Sequence, residues 1–156
     1  MPLRLATLAD VPAIMFLEGN PVARQFVGQW SEDRHRATLT GSDARYYVNE
    51  NSGAIDAYVI LRGLGEDSRS IELKRVVVAR PGKGLGRRIL SEVIRIAFRE
   101  LGAHRLFLDV FEDNERARHL YESLGFKYEG VMRQAANRGG CWFDLHLMSM
   151  LESEYN

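Results

Sequence analysis

The sequence predicts an α/β protein built on a mixed sheet, and three patterns in it carry that prediction. "ARYYVNEN" (44–51) and "AIDAYVILRG" (54–63) are rich in β-branched and aromatic residues and are joined by the turn residues "NSG", the signature of a hairpin. "RVVVA" (75–79) is apolar at consecutive positions, as expected of a strand covered on both faces. Immediately after it, Ile89, Leu90, Val93, Ile94, Ala97, Phe98 and Leu101 recur at the spacing of one helix face.

Taken in order, "LRLATL" (3–8) reads as a first strand, and Asp10 as the cap of a helix "VPAIMFLE", with Pro12 in its first turn and Gly19 at its end. Pro21 restarts a short helical stretch through Val22, Phe26 and Val27, and Ser31 caps a further helix that Gly41 ends. The hairpin supplies strands two and three. "GLGEDSRS" is a polar loop before the fourth strand, "IELKRVVVA" (71–79), and the amphipathic helix then runs from Gly84 to Gly102. "RLFLDVF" (105–111) is the fifth strand. Asn114 caps a helix whose inner stripe is Ala117, Leu120, Tyr121 and Leu124, closed by Gly125. "FKYEGVMR" (126–133) and "CWFDLHLMSML" (141–151) complete about seven strands and about four helices, in a single domain over residues 1–156.

Composition narrows the function. Lys plus Arg and Asp plus Glu number 21 each, so no global field draws the protein to nucleic acid or to an anionic membrane, and any basic site is local. The sequence gives no run of apolar residues long enough for a membrane span and no secretory leader pattern at its start. One cysteine, Cys141, makes no internal disulfide, and no Cys/His spacing suggests a metal. A cytoplasmic protein is the expectation.

"RPGKGLGRRIL" (80–90) holds glycines at 82, 84 and 86 among Lys83, Arg87 and Arg88. Between a strand and a helix, such a stretch is either a plain turn or an anion site. In an anion site, unpaired N–H groups and the helix dipole converge on one point. A dinucleotide fingerprint starting at Gly84 lacks a glycine at 89, and no Gly-Lys-Ser/Thr closes a nucleotide-triphosphate loop.

"VVVARPGKGLGRRIL" together with "NERARHLYESLGF" (114–126) resembles the GCN5-related N-acetyltransferase (GNAT) superfamily, and the tail "GFKYEGVMRQAANRGGCWFDLHLMSMLESEY" (125–155) resembles its Rim-type, small-amine branch. The family's loop Arg/Gln-x-x-Gly-x-Gly/Ala matches at Gly84 and Gly86 but has Pro81 where Arg or Gln is usual, with Lys83, Arg87 and Arg88 as candidate substitutes. The second motif is complete at Asn114, Ala117, Leu120, Tyr121, Gly125 and Phe126. The resemblance implies a sheet whose central parallel pair splays apart and acetyl-CoA as co-substrate, with no metal. It places the diphosphate on Lys83, Gly84, Leu85, Gly86, Arg87 and Arg88. The pantetheine arm falls to the main chain of Val76, Val77 and Val78, with Asn114 and Ala117 nearby.

It further implies that the Tyr121 hydroxyl protonates the departing thiolate, although position alone makes Tyr121 a core residue. Glu72 is the candidate general base, placed by strand alternation on one face with Lys74, Val76 and Val78; a solvated Glu paired with a cation is the competing reading. Trp30, Tyr46 and Trp142 are candidates for an acceptor pocket, and the four histidines are read as surface or packing residues. The expected activity is acetyl transfer to a primary amine of a small molecule or a peptide N-terminus, with a catalytically silent acyl-CoA-binding module as the alternative. The last strand offers an edge on which a homodimer could form, though nothing in the sequence demands one.

Overall fold

A computed structural model describes residues 3–155. Its strands are β1 (Arg4–Leu5), β2 (Ala44–Asn51), β3 (Ala54–Arg62), β4 (Ser70–Val78), β5 (Arg105–Phe111), β6 (Lys127–Arg138) and β7 (Cys141–Leu151). Its helices are α1 (Val11–Glu18), α2 (Pro21–Arg24), α3 (Glu32–Thr40), α4 (Leu85–Arg95) and α5 (Glu115–Ser123). The strands form one sheet in the order β1-β2-β3-β4-β5-β7-β6. Every neighbouring pair is antiparallel except β4 and β5. This is the mixed α/β sheet expected of the sequence, with a parallel pair at its centre.

Two apolar layers hold the sheet. Leu61, Leu73, Leu106 and Leu108 pack with Ile89, Leu90 and Val93 of α4 and Tyr121 of α5 on one face. Tyr46, Tyr58, Ile60 and Val77 pack with Ile14 and Leu17 of α1 and with Trp30 on the other. The helical spacing read from 89 to 98 therefore buries the face it predicted, though the last turn, Ile96–Glu100, widens to a π-helical turn in which the Leu101 N–H reaches the Ile96 carbonyl at 2.9 Å.

The sequence reading needs three local corrections, and His35, read as a surface or packing residue, turns out to be packed. The first strand shrinks to two residues, because the Asp10 carboxylate turns back to accept from the Thr7 N–H at 2.8 Å and the Arg4 guanidinium at 2.9 and 3.0 Å; it closes a 3₁₀ turn and makes no side-chain cap on α1. β6 runs on to Arg138, five residues past the expected end, with its pairing to β7 irregular between Met132 and Ala136. Gln134 there has φ +47°, and its N–H is satisfied by the Asp144 carboxylate. His35 is fully buried, in a polar cluster described below.

The last correction concerns β4. Ile60 pairs with Arg75 and Leu61 with Leu73, so Lys74 is an extra residue, a bulge in the strand. The bulge inverts the alternation: Leu73 faces α4, but so do Val76 and Val78, while Arg75 and Val77 face α1. Glu72 is cross-strand to Arg62 on the α1 face, on the side of the sheet opposite Val76 and Val78. An unbroken alternation, which had grouped Glu72 with them, does not survive one inserted residue.

Candidate active site

β4 and β5 are paired only from Ser70–Glu72 to Arg105–Phe107. Beyond Glu72 the two strands part, and the β4 main chain facing β5 has no ladder partner there. A cleft of about 550 Å3 fills the parting. Its walls include Val76, Val77 and Val78 on β4, Asp109, Val110 and Phe111 on β5, Asn114, Ala117 and Tyr121 on α5, and Val22, Phe26 and Gly28 around α2. The extended β6 supplies Met132, Ala136 and Asn137. A mostly apolar channel with free main-chain groups along one wall suits an extended chain carrying amides.

At one end of the cleft stands the glycine loop. Gly82 and Gly84 hold φ of +88° and +81°, conformations that side chains rarely adopt. Gly84 is the N-cap of α4, and no side chain caps it, in contrast to α3 and α5, where the Ser31 and Asn114 oxygens accept from Arg34 and Ala117. Nothing lies within 4 Å of a Cβ built at Gly84, so the space above these N–H groups is open. Free first-turn donors at the positive end of an 11-residue helix fit an anionic group. Of the loop residues singled out in the sequence, Gly86 lines the cleft together with Pro81. Lys83, Gly84 and Leu85 are not among the lining residues, and neither are Arg87 and Arg88. The Arg87 guanidinium donates to Ser123 Oγ at 2.7 Å, and Arg88 to Asn49 Oδ1 at 3.1 Å, so both are engaged by protein groups.

At the other end, where the strands converge, the bulge sets Lys74 and Arg75 into the cleft wall opposite Asp109. Asp109 alternates with Leu108 and Val110, which face α4, so it stands on the α1 face. Burial pushes its carboxyl above the usual carboxylate range, with Lys74 opposing that rise and Glu72 adding to it. Burial also pulls the Lys74 ammonium below its ordinary value. Tyr121 comes from the opposite side, packed with the α4-side core and edge-on to Phe126. It is 8% exposed and lines the cleft. Burial, and then the Asp109 charge, raise its phenol above the usual range, which keeps the hydroxyl protonated. A carboxylate and a neutral phenol thus approach the same gap from the two faces of the sheet.

Glu72 does not line the cleft; Arg62 Nε donates to its carboxylate at 2.6 Å. Asp109 is the residue that sequence reasoning missed. Its signal was an acidic residue inside the apolar strand "RLFLDVF", at a position where β5 has no β4 partner.

Behind Arg75 lies a buried polar cluster. Glu18, 1% exposed, accepts from Arg75 Nη1 at 2.7 Å and from the Tyr58 hydroxyl at 3.0 Å through one oxygen. Its other oxygen shares a 2.7 Å hydrogen bond with His35 Nε2, whose Nδ1 meets the Tyr46 hydroxyl at 2.7 Å. Desolvation pushes the Tyr46 phenol up to about 12. The Arg75 guanidinium also lies over the Trp30 ring, 4.3 Å from its centroid. Trp30 and Tyr46 therefore orient Arg75 instead of lining the cleft, and Trp142 is 62% exposed on β7.

The chain is similar to several known N-acetyltransferases. The L-amino acid N-acyltransferase MnaT of Escherichia coli is 33% identical over 78% of this chain and 69% of its own length. The L-methionine sulfoximine/L-methionine sulfone acetyltransferase of Salmonella typhimurium is 32% identical over 99% of this chain and 96% of its own. A solved mutant of the spermidine N-acetyltransferase of Vibrio cholerae superposes with a TM-score of 0.87 at 27% identity, over 99% of this chain and 97% of that one. The model of the Acetyltransferase (GNAT) family matches residues 16–126. A match of that extent takes in the glycine loop, the parted strands and Tyr121 together, and it makes this chain a member of the GNAT acetyltransferase family.

Proposed function

We propose that the protein transfers acetyl from acetyl-CoA to the amino group of a small acceptor that also carries a negative charge, an α-amino acid or close analogue. Acetyl-CoA-dependent N-acetylation is the chemistry of the family. The acceptor class rests on one observation, the Lys74 ammonium beside the Asp109 carboxylate at the closed end of the cleft, where Arg75 is already paired with Glu18. A polyamine would carry its further ammonium groups toward the Lys74 cation. An amino acid instead matches its ammonium to Asp109 and its carboxylate to Lys74. The two relatives reported above whose names specify amino-acid acceptors support the same reading.

The coenzyme supplies an activated acyl thioester. Everything else falls to this chain. The uncapped start of α4 holds the anionic end, and the unpaired β4 main chain at Val76–Val78 aligns the arm. Asp109 takes the first proton from the acceptor ammonium, which otherwise has no free pair with which to attack. The Tyr121 hydroxyl gives its proton to the departing sulfur, and the second proton, which leaves the nitrogen as the C–N bond forms, restores the Tyr121 phenol through solvent, while Asp109 releases the first proton to solvent after turnover. Base and acid belong on opposite faces because acceptor and sulfur lie on opposite sides of the reacting carbon. Holding the two reactants in one cleft contributes independently of either group. Glu72, neutralised by Arg62 and outside the cleft, supports Arg62 and Lys74 in this account and takes no proton.

The test is a panel of neutral amino acids, spermidine and an unmodified peptide, incubated with acetyl-CoA while thiol release and product mass are followed. Acetylated amino acids are expected. Preference for spermidine or the peptide would overturn the acceptor class, and stabilisation by coenzyme A without any acetylated amine would favour a silent binding module. Lys74→Gln should raise the amino-acid KM and weaken discrimination against spermidine.

A further inference from the structure

Pro81 leaves the glycine loop with neither an N–H nor a side-chain cation at the position where related loops carry one. We propose that Arg116, from α5, supplies the missing side-chain ligand to the diphosphate of the coenzyme; this rests on the acetyl-CoA reading above. Arg116 and Leu120 lie one turn apart on the same face of α5, and they meet two loop glycines that are also four residues apart. A Cβ built at Gly86 would touch Leu120 at 3.8 Å, and one built at Gly82 would stand 2.6 Å from Arg116 Nη2. The guanidinium therefore rests on bare backbone at Gly82, in space that only glycine leaves open. It lines the cleft beside Pro81.

Arg116 also differs from Arg87 and Arg88 in being uncommitted. Arg87 is engaged by Ser123 and Arg88 by Asn49. Arg116 makes no ion pair or hydrogen bond among the described residues, and it lies against the loop that leads into the uncapped first turn of α4. A planar fork opposite converging N–H groups is suited to bridge two phosphate oxygens. The second motif residue Asn114 caps α5 and thereby fixes the turn from which Arg116 projects.

The experiment is calorimetric binding of coenzyme A and of dephospho-coenzyme A to wild type, Arg116→Ala, Arg116→Lys and Lys83→Ala, with circular dichroism confirming that each variant is folded. Arg116→Ala should weaken both ligands alike, by roughly tenfold to a hundredfold, as losing a hydrogen bond to a charged group does. Arg116→Lys should recover part of the loss, because it restores the charge without the fork. Unchanged affinity in Arg116→Ala, or a loss carried by Lys83→Ala instead, would overturn the proposal. So would a loss confined to coenzyme A, which would move Arg116 to the 3′-phosphate. If wild type bound neither ligand, the coenzyme reading itself would fall, independently of Arg116.

Discussion

In the proposed mechanism Asp109 and Tyr121 divide the proton transfers, because the same burial acts on two acids in the same direction but with opposite use. Raising the Tyr121 phenol secures a donor, whereas raising the Asp109 carboxyl makes it a better proton acceptor than an ordinary carboxylate. Tyr121→Phe should lower kcat by ~10²–10⁴-fold while leaving coenzyme affinity nearly intact. Equal turnover in the variant would remove Tyr121 from the chemistry. Asp109 must be ionised to work, so kcat/KM should fall as pH drops through its raised pKa, and Asp109→Asn should lose that acid limb along with most of the rate. Stability gives a second readout. The folded state binds the Asp109 proton more tightly than the unfolded chain does, so this group lowers stability as pH rises through its folded pKa. Asp109→Asn should accordingly melt higher than wild type at pH 7, with the gain shrinking as pH falls toward the ordinary carboxyl pKa of about 3.9. A lower melting temperature at pH 7 would contradict the burial argument.

Elements whose signal is periodic were legible in the sequence; those defined by an irregularity were not. The α4 stripe, the 52–53 hairpin turn with both residues at positive φ, and the Asn114 cap all appear as read. The bulge at Lys74 did not announce itself, since an inserted residue in "IELKRVVVA" leaves every residue type compatible with a regular strand. That one irregularity moves the candidate base from Glu72 to Asp109. The extension of β6 was missed because "QAANRGG" lacks β-formers; its pairing is enforced by β7 and by Asp144, which satisfies the Gln134 N–H. The Glu18 cluster was equally invisible, because it joins α1, α3, β2, β3 and β4 through residues 18, 35, 46, 58 and 75. Its removal has a clear expected cost: Glu18→Ala leaves Arg75, His35 and Tyr58 buried without their shared acceptor and should destabilise by about 3–5 kcal/mol in urea melts. A change under 1 kcal/mol would show the cluster relaxes to other partners.

Across the molecule, one departure does the organising work: a sheet that is continuous at Ser70–Glu72 and open beyond. The opening leaves main-chain groups without ladder partners, forms a cleft lined from both faces of the sheet, and places the loop of α4 at one end and Lys74 with Asp109 at the other. With Lys plus Arg equal to Asp plus Glu over the chain, selectivity has to come from this local arrangement and not from a global field. The coenzyme side was readable because the loop and the 114–126 motif are contiguous in sequence. The acceptor side was not, because its wall is assembled from α2, the β4 bulge, β5 and the far half of β6. The decisive measurement is therefore the ratio of kcat/KM for L-methionine sulfone to that for spermidine, in wild type and in Asp109→Asn, with product mass confirming N-acetylation. A ratio well above one in wild type, with turnover largely abolished in the variant, is the predicted result. A ratio below one, or an Asp109→Asn enzyme as fast as wild type, would contradict it.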